Sequence, residues 1–462
     1  MRTPIAALVA ALSLVAVPAA SADQMGPDWV SSDNVEYLGS IKQDFGLTAG
    51  AKIVGDRMFV TSGKNITIYD ISTPETPVTL GSLKVNVAWE NEEVPTNGKV
   101  LAVASDFYSA MPSCVTALAV DGCVQFFDVR DPANIQEVGS VPIANHTAEC
   151  VLDCQWFYGR AGTIIDARGI LDGKEPAVVG NWIEELQAQG VDSNSCHHIR
   201  EIRPGVLLTA CQPFSVITVN PKDAPGASPE HPKVLYTGEA EKFVHSSRWP
   251  RGGKDKFVLT GGEKNFTGRC ELNDSEFSTY SAEAVLDGES DQFEGPLFQK
   301  PPAPNGTYTD GRPPANHLGC SVHWFQEHES FKNGGLVALS EYENGVRFLQ
   351  IHKDGSIEEQ GFFAALGSSS SSPKWAPSGD VLYSIDYDRG LDIIRWKGQH
   401  YVPKKRGGGV KRSKSRVRGT NGTTTVPALN RTQRAEQNQL AIQMQAQGWS
   451  PGLCRLAGTR GT

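Results

Sequence analysis

Long apolar runs are missing from the sequence beyond its N-terminal end. No later segment approaches the roughly 18 uninterrupted apolar residues that a membrane-spanning helix needs. Also absent are a Gly-Lys-Ser/Thr phosphate loop, a Gly-x-Ser-x-Gly nucleophile elbow, a dinucleotide fingerprint and a specific nucleic-acid-binding motif. We therefore expect no transmembrane helix in the mature chain. The missing motifs argue against a P-loop nucleotide hydrolase, an α/β-hydrolase and a dinucleotide-dependent enzyme.

An N-terminal export signal is present instead. Arg2 precedes an apolar run over residues 5–17 and a stretch of small residues at 20–22. This order is typical of a secretory signal peptide that is cleaved after Ala22. We expect residues 1–22 to be removed and the mature chain to be secreted, as an extracellular or cell-surface protein.

The sequence contains nine cysteines, and disulfides are the default in an oxidising compartment. Eight lie in the body and Cys454 stands alone near the C-terminus, so we expect four bridges. Cys114 and Cys123 flank a possible hairpin turn and are predicted to pair, although another partner is left open. Cys150 and Cys154 lie four residues apart. Four extended residues span about 13 Å, whereas a disulfide needs Cα atoms about 5.5 Å apart, so we expect no bridge between them unless the strand breaks.

Charge divides the chain into two parts. From residue 404 onward there are 12 Lys/Arg and one acidic residue, whereas the mature body has 30 basic and 51 acidic residues. The tail is rich in Gly and Ser and has no apolar period, which is typical of a disordered extension. We expect residues 404–462 to be disordered, with contact to nucleic acid, cell-wall polyanions or anionic lipid as the alternative.

A repeated unit occupies the acidic body. Each copy has a short apolar strand, a turn with Gly or Asp, a second strand and a Pro-containing turn before an apolar-Gly strand. The clearest copies are MFVTSGKNITIYDISTPETPVTLGSL (58–83) and ALAVDGCVQFFDVRDPANIQEVGSV (117–141), and five weaker copies follow. Apolar alternation between tight turns indicates antiparallel strands, and a spacing of about 54 residues fits one four-stranded blade. The sequence thus predicts an all-β fold, a seven-bladed β-propeller over residues 23–403.

The N-terminus is predicted to complete the ring. Outer-strand motifs such as TLGSL (79–83) and EVGSV (137–141) close most units, but the seventh unit stops at Trp396 without one. YLGSI, residues 37–41, precedes the first full unit and would supply the missing outer strand of the last blade. This arrangement leaves no free sheet edge between the first and last blades.

The phrases ITIYDISTPETP, VQFFDVRDPANI and GLDIIRW resemble the LVIVD-repeat family of secreted or surface-exposed bacterial propellers. The resemblance covers residues 37–396 and is closest in the first, second and last units. It implies the propeller fold, but members of that family mostly lack an assigned activity, so it implies little about chemistry. The fifth unit departs from the pattern through a long insertion, residues 270–314, which we interpret as a surface loop that could cap one mouth of the channel.

Histidines recur at a similar phase in four successive units. His146, His198, His245 and His323 each lie 13 to 17 residues before the end of the strand that carries the repeat signature. They therefore fall on the preceding strand, which is innermost in a blade and lines the channel. His197 is adjacent to His198, and only one of two neighbours on a strand can point inward, so both assignments stay open. These histidines are candidates for binding one transition metal ion, with a polar lining of a water-filled channel as the alternative.

Four further side chains near these histidines are candidates for ligand binding: Arg200, Arg248, Trp249 and Trp324. An arginine can clamp a carboxylate or phosphate with two hydrogen bonds, and a tryptophan can stack on a sugar ring. Ion pairing and packing between blades are their structural alternatives.

Two functions fit these patterns. The first is a secreted binding or scaffold propeller for an unknown protein or carbohydrate ligand, which we expect to be monomeric. The second is a metal-dependent enzyme at the propeller axis, either a uronate-type polysaccharide lyase or an oxidase or oxygenase. In a lyase, Arg200 or Arg248 would neutralise the substrate carboxylate while a histidine or tyrosine removes the α-proton. The residues alone leave open whether the chain is an enzyme.

Overall fold

Seven β-sheets are formed by the residues that the computed structural model describes. These residues are 24–25, 29–42, 48–62, 65–84, 92–105, 122–160, 162–193, 196–238, 243–263, 276–283, 292–294, 321–365, 368–377 and 379–398. The predicted signal peptide, the basic tail and most of the insertion at 270–314 lie outside them. No helix within the described part of the chain is long and apolar enough to cross a membrane.

The strands follow one another in the order expected for propeller blades. Three N-terminal strands join later blades: β1 (Gln24–Met25), β2 (Trp29–Ser31) and β3 (Val35–Ile41). Blade 1 contains β4 (Thr48–Val54), β5 (Arg57–Ser62), β6 (Asn65–Asp70) and β7 (Val78–Lys84). Blade 2 contains β8 (Val100–Ser105), β9 (Cys123–Asp128) and β10 (Gln136–Val141). Blade 3 contains β11 (Ala148–Val151), β12 (Trp156–Gly159), β13 (Thr163–Asp166) and β14 (Ala177–Asn181).

The remaining four blades repeat this order. Blade 4 contains β15 (His198–Arg203), β16 (Val206–Ala210), β17 (Phe214–Thr218) and β18 (Lys233–Gly238). Blade 5 contains β19 (Ser246–Arg248), β20 (Phe257–Gly262), β21 (Glu276–Ser281) and β22 (Gln292–Glu294). Blade 6 contains β23 (Phe325–Glu327), β24 (Gly335–Ser340), β25 (Val346–Ile351) and β26 (Ile357–Ala365). Blade 7 contains β27 (Ser370–Trp375), β28 (Val381–Asp386) and β29 (Gly390–Trp396).

Helical structure is confined to short connections in the described residues. Helix α1 (Trp182–Ala188) follows β14, and the Asn181 side chain caps it by accepting from the Ile183 and Glu184 N–H groups. Further helical segments include α2 (Pro250–Gly253) and the 3₁₀ turns Pro132–Asn134 and Ile170–Asp172.

The N-terminal strand closes the ring, as the sequence predicts. β3 pairs antiparallel with β29 from Val35 opposite Trp396 to Ile41 opposite Leu391, and it becomes the fourth strand of blade 7. The preceding strands add an extension that was not predicted from the sequence. β2 pairs with β26, and with β1 it widens blade 6 to six strands. The seven-bladed β-propeller is therefore confirmed.

Apolar side chains fill the spaces between neighbouring blades. One cluster joins blades 1 and 2 through Phe59 and Phe127, and a corresponding cluster lies at each of the other blade junctions. The cluster between blades 7 and 1 packs Met58 against Tyr383 and completes the circle. Burying one such side chain contributes about 1.5–3 kcal/mol, so the closed ring is held mainly by these junctions.

Blade 2 presents an irregular segment to the channel. Residues 92–96 run beside β8, where the Ala102 N–H donates to the Pro95 carbonyl at 3.0 Å and Thr96 bridges to Leu101. Proline has no N–H and cannot continue a regular ladder, which accounts for the short pairing. The segment brings Glu92 and Glu93 into the interior, where both are buried.

The prediction for Cys150 and Cys154 was wrong. The two cysteines form a disulfide with their Cα atoms 4.5 Å apart. Strand β11 ends at Val151, and the next three residues, 152–154, all adopt positive φ in a left-handed turn that folds the chain back. The extended spacing assumed from the sequence does not apply, because the strand breaks between the cysteines.

The other cysteines agree with an oxidised protein. Cys196 bridges Cys211 beside the start of β15. Cys123 is also disulfide-bonded, but the predicted partner, Cys114, lies outside the described residues. The Cys114–Cys123 bridge stays a prediction.

A candidate metal centre on the propeller axis

The innermost strands of blades 4, 5 and 6 begin at equivalent positions. In each blade one backbone N–H at this position donates to a carbonyl near the end of the second strand: His197 to Ala210 at 2.8 Å, His245 to Gly261 at 2.9 Å and His323 to Ser340 at 3.0 Å. His146 lies two residues before β11 in blade 3. The repeated phase of the histidines in the sequence therefore corresponds to a repeated place in the fold.

Hydrogen bonds connect these positions from blade to blade. In each of blades 3 to 7, a side chain at the start of the innermost strand donates a hydrogen bond to a backbone carbonyl in the next blade. The bonds are Thr147 Oγ1 to the His197 carbonyl (3.2 Å), His197 Nδ1 to the His245 carbonyl (3.1 Å), Ser246 Oγ to the His323 carbonyl (3.1 Å), His323 Nδ1 to the Ser371 carbonyl (2.8 Å) and Ser371 Oγ to the Ala49 carbonyl (2.7 Å). A carbonyl can only accept, so Nδ1 carries a proton in both His197 and His323. Blades 7 and 1 carry Ser371 and Ala49 where blades 3 to 6 carry histidines.

The imidazole rings form a continuous row. Ring centroids lie 5.1 Å apart for His146 and His197, 3.7 Å for His197 and His245, and 4.5 Å for His245 and His323. The structure thus resolves the choice in the His197–His198 doublet, because His197 completes the row. His198 packs edge-on against the Trp324 ring, with centroids 4.9 Å apart.

Glu92 lies at the centre of this row. One carboxylate oxygen is 2.8 Å from His323 Nε2, and the other is 3.7 Å from His245 Nε2. Trp324 Nε1 and the Tyr387 hydroxyl donate to its two oxygens, each at 2.9 Å. Glu92 is fully buried, so these contacts fix the carboxylate in place.

Two sets of donor atoms are close enough to bind one ion. The ligand atoms of Glu92, His245 and His323 lie within 4.8 Å of one another, and so do those of Glu92, His146 and His197. The shared carboxylate joins the two sets into one group of five side chains. All five donors are nitrogen or oxygen, and no thiolate takes part.

Burial and mutual repulsion control protonation in this group. Burial, with neighbouring histidines adding to it, holds the pKa of His197 and of His245 well below the usual histidine value. Burial opposes ionisation of both Glu92 and His323, but the electrostatic attraction between them is the larger effect. The pKa of Glu92 is therefore lowered and the pKa of His323 is raised. The group therefore contains neutral imidazoles around one ion pair.

Several of these nitrogens are not satisfied by the protein. His197 Nε2 and both ring nitrogens of His245 have no hydrogen-bond partner among the described residues. His245 itself is fully buried. Leaving a buried polar atom without a partner costs about 1–3 kcal/mol, so the bare cluster is energetically unfavourable.

The remaining predicted site residues fall in different places. Arg200 and Arg248 both point their guanidinium groups at Glu93, with Nη2 to Oε1 distances of 3.0 and 3.7 Å. Trp324 donates to Glu92 and packs against His198. Trp249 instead packs in the apolar cluster between blades 4 and 5 and donates Nε1–H to the Asp255 carbonyl at 2.9 Å.

Glu92 and Tyr387 were not singled out from the sequence. A signal for Glu92 was available, because it lies 13 residues before Ser105, the last residue of β8. His146 has the same distance to Gly159 at the end of β12. Tyr387 follows the second strand of blade 7 and reaches the axis only through the fold, so no spacing in the sequence would have identified it.

No family model matches the chain, and a search of curated proteins gave no match. Among solved structures, the chain is similar to the β-propeller domain of Cps50 (Swd1) from Myceliophteria thermophila. The two share 13% sequence identity with a TM-score of 0.46, over 78% of this chain and 99% of that one. A likeness of this degree carries no argument about function. The chain is a seven-bladed β-propeller by its own strand pairing.

Proposed function

We propose that this propeller binds one transition metal ion on its axis and acts as a metal-dependent enzyme of the oxidase or oxygenase type. The ligands would be Glu92, His146, His197, His245 and His323. The observation that carries the proposal is the buried row of four imidazoles around one carboxylate, with donor atoms within 4.8 Å in two overlapping sets. Imidazole with carboxylate suits iron and copper, and the absence of thiolates among the donors disfavours a structural zinc site.

The surroundings of the donors support ligation over a purely structural role. Histidines that bind metals usually donate their other ring N–H to a carbonyl or carboxylate, which fixes the tautomer. His197 and His323 do so through Nδ1, and each is left with Nε2 facing the cluster. A bound cation would also occupy one of the two otherwise unpaired nitrogens of His245.

The uneven distribution of ligands among the blades supports a catalytic metal site over a structural one with all positions filled by protein. The five donors come from blades 2 to 6, whereas blades 7 and 1 contribute Ser371 and Ala49 at the equivalent positions. These small residues supply no strong ligand. A metal held by the other blades would keep an open coordination position on that side for a small molecule, which a catalytic site requires.

The alternative is a binding propeller whose histidine cluster is structural. It is favoured by the 2.8 Å contact between His323 and Glu92 and by the hydrogen bonds from Trp324 and Tyr387, which satisfy the carboxylate without a metal. Under this alternative the purified protein would contain no stoichiometric metal and would not take one up.

The test is metal analysis of protein purified without a histidine tag. We expect about one equivalent of iron or copper in the wild type and loss of that metal in His245→Ala, because no neighbouring histidine replaces this ligand. His231→Ala is the matched control, since His231 is exposed and pairs with Glu185 at the surface. Circular dichroism of both variants verifies folding.

Three outcomes contradict the proposal. A wild-type protein that stays metal-free after reconstitution removes the site, and so does unchanged metal content in His245→Ala. Stoichiometric binding of zinc alone would retain a metal site but contradict the redox assignment, because zinc has no redox chemistry. Should His245→Ala fail to fold, His146→Gln provides the same measurement from a different blade.

A further inference from the structure

A second set of charged side chains follows the axial positions along the inner strands. It lies three residues downstream of His146, His197, His245, Ser371 and Ala49, and its members are Glu149, Arg200, Arg248, Lys374 and Lys52. Three residues of extended strand cover about 10 Å, so this charged ring is displaced along the channel from the candidate metal centre.

Glu93 projects into the charged ring from blade 2. Its Oε1 atom lies 3.0 Å from Arg200 Nη2, 3.0 Å from Lys374 Nζ and 3.7 Å from Arg248 Nη2. Glu93, Arg200 and Lys374 are each more than nine-tenths buried. One carboxylate thus faces three cations in a place from which water is largely excluded.

The charges in this region do not balance. Lys52, which is partly buried, is the fourth cation of the ring. Among the described residues, three carboxylates face them: Glu93, Glu149 and Glu327, the last at 3.4 Å from Arg248. Arg200 and Lys374 are buried, and a buried charge without a partner is costly, so an excess of one positive charge among the described residues favours binding of an anion.

Unpaired polar atoms occur in the same place. Arg200 Nε and both ring nitrogens of His198 have no hydrogen-bond partner in the described part of the chain, although both residues are more than nine-tenths buried. His198 is 3.9 Å from Glu149 and packs against Trp324. These atoms supply hydrogen-bonding capacity that the protein itself does not use.

We propose that the charged ring binds the carboxylate of a small organic monoanion. An arginine fork matches a planar carboxylate, and an excess of one charge fits a monoanion better than phosphate, which carries about −1.5 to −2 at neutral pH. Arg248 and Glu327 retain 13% and 22% side-chain exposure, so they mark the side from which a ligand can approach. Trp324, which contacts His198 and donates to Glu92, connects the ring to the metal centre.

We further infer that this anion is the substrate. That step rests on the proposed function, whereas binding of the anion does not. The ring would hold the carboxylate about 10 Å from the metal and direct the rest of the molecule toward it. The enzyme would then act on an organic acid at a carbon several bonds from its carboxylate.

Benzoate is the probe, because it combines one carboxylate with a ring that can pack on Trp324. Its affinity is measured by calorimetry or ligand-observed NMR on metal-loaded and chelator-treated protein. We expect binding in both forms and at least tenfold weaker binding in Arg248→Gln. Arg130→Gln is the matched control, because it removes the same charge from an exposed arginine paired with Asp128.

Equal benzoate affinity in Arg248→Gln and wild type would overturn the inference, as would equal or tighter binding of inorganic phosphate. Should Arg248→Gln not fold, Lys374→Gln serves as the second variant. Benzoate binding to a protein that takes up no metal would contradict only the proposed function. Metal binding without any benzoate binding would contradict only the charged ring.

Discussion

Tyr387 and Tyr383 are two buried tyrosines of blade 7 whose hydroxyl groups have different partners. The Tyr387 hydroxyl donates to Glu92 at 2.9 Å, whereas that of Tyr383 donates to the Pro74 carbonyl at 2.8 Å, away from the axis. Comparing variants of the two tyrosines separates the effect of losing one buried hydrogen bond from the effect of disturbing the proposed metal ligand Glu92.

We expect Tyr387→Phe to weaken metal binding by about 10- to 100-fold, the range found when a group that orients a ligand is removed. Tyr383→Phe should leave metal affinity unchanged. Both variants should lose about 1 kcal/mol of stability, since each loses one hydrogen bond. Metal titration and thermal melting measure the two effects. Equal metal affinity in the two variants would assign the Glu92 contact a structural role only.

The histidine doublet illustrates what a residue-level rule can miss. Alternation along a strand correctly requires neighbours to face opposite ways, but it presumes a regular strand. His197 lies just before β15, and its neighbour His198 is the first strand residue. Both are buried: His197 completes the row of imidazole rings, and His198 packs on Trp324, which donates to Glu92.

Among the elements, the N-terminal strand has the clearest consequence for stability. β3 pairs with β29, and Val35 packs without exposure in the cluster between blades 6 and 7. Its removal would leave β29 as an unpaired edge and blade 7 with three strands.

Deletion of residues 23–42 should therefore cause aggregation or a loss of at least about 3 kcal/mol in unfolding free energy. The matched control deletes residues 23–32, which removes β1 and β2 from the outside of blade 6 and leaves β3 in place. We expect a clearly smaller change in that variant. Thermal melting and light scattering compare them, and a monomeric 23–42 deletion with unchanged melting temperature would show that ring closure by β3 is dispensable.

The turn between Cys150 and Cys154 shows how the end of a strand invalidates a distance predicted from the sequence. A distance estimate from the sequence requires the element to continue, and β11 ends at Val151. Three consecutive non-glycine residues with positive φ are uncommon, so the residue types at 152–154 did not predict this turn. The disulfide and the tertiary packing together hold a conformation that local sequence disfavours.

On the scale of the whole molecule, the acidic body and the basic tail should behave as separate parts. The strand pattern ends at Trp396, and the sequence from residue 404 onward carries 12 Lys/Arg with no apolar period. Burial in such a segment cannot offset the entropy lost on ordering it.

Limited trypsin digestion should therefore remove the tail and leave a folded core that ends near residue 403. The core should retain the metal content of the full chain, because all five proposed ligands precede residue 324. Mass spectrometry and metal analysis of the trimmed protein measure both results. Resistance to cleavage between Arg406 and Arg418 would show that the tail is docked on the propeller.

The sequence by itself determined the number of blades, the closing strand and the blades that carry the histidines. These features follow from periodic patterns, and a repeat transmits its period directly into the fold. Only the tertiary structure decided that Glu92 from blade 2, Trp324 from blade 6 and Tyr387 from blade 7 meet at one carboxylate. The physical reason is that ring closure brings blades from opposite ends of the chain around one axis. Contacts across that axis leave no local spacing in the sequence.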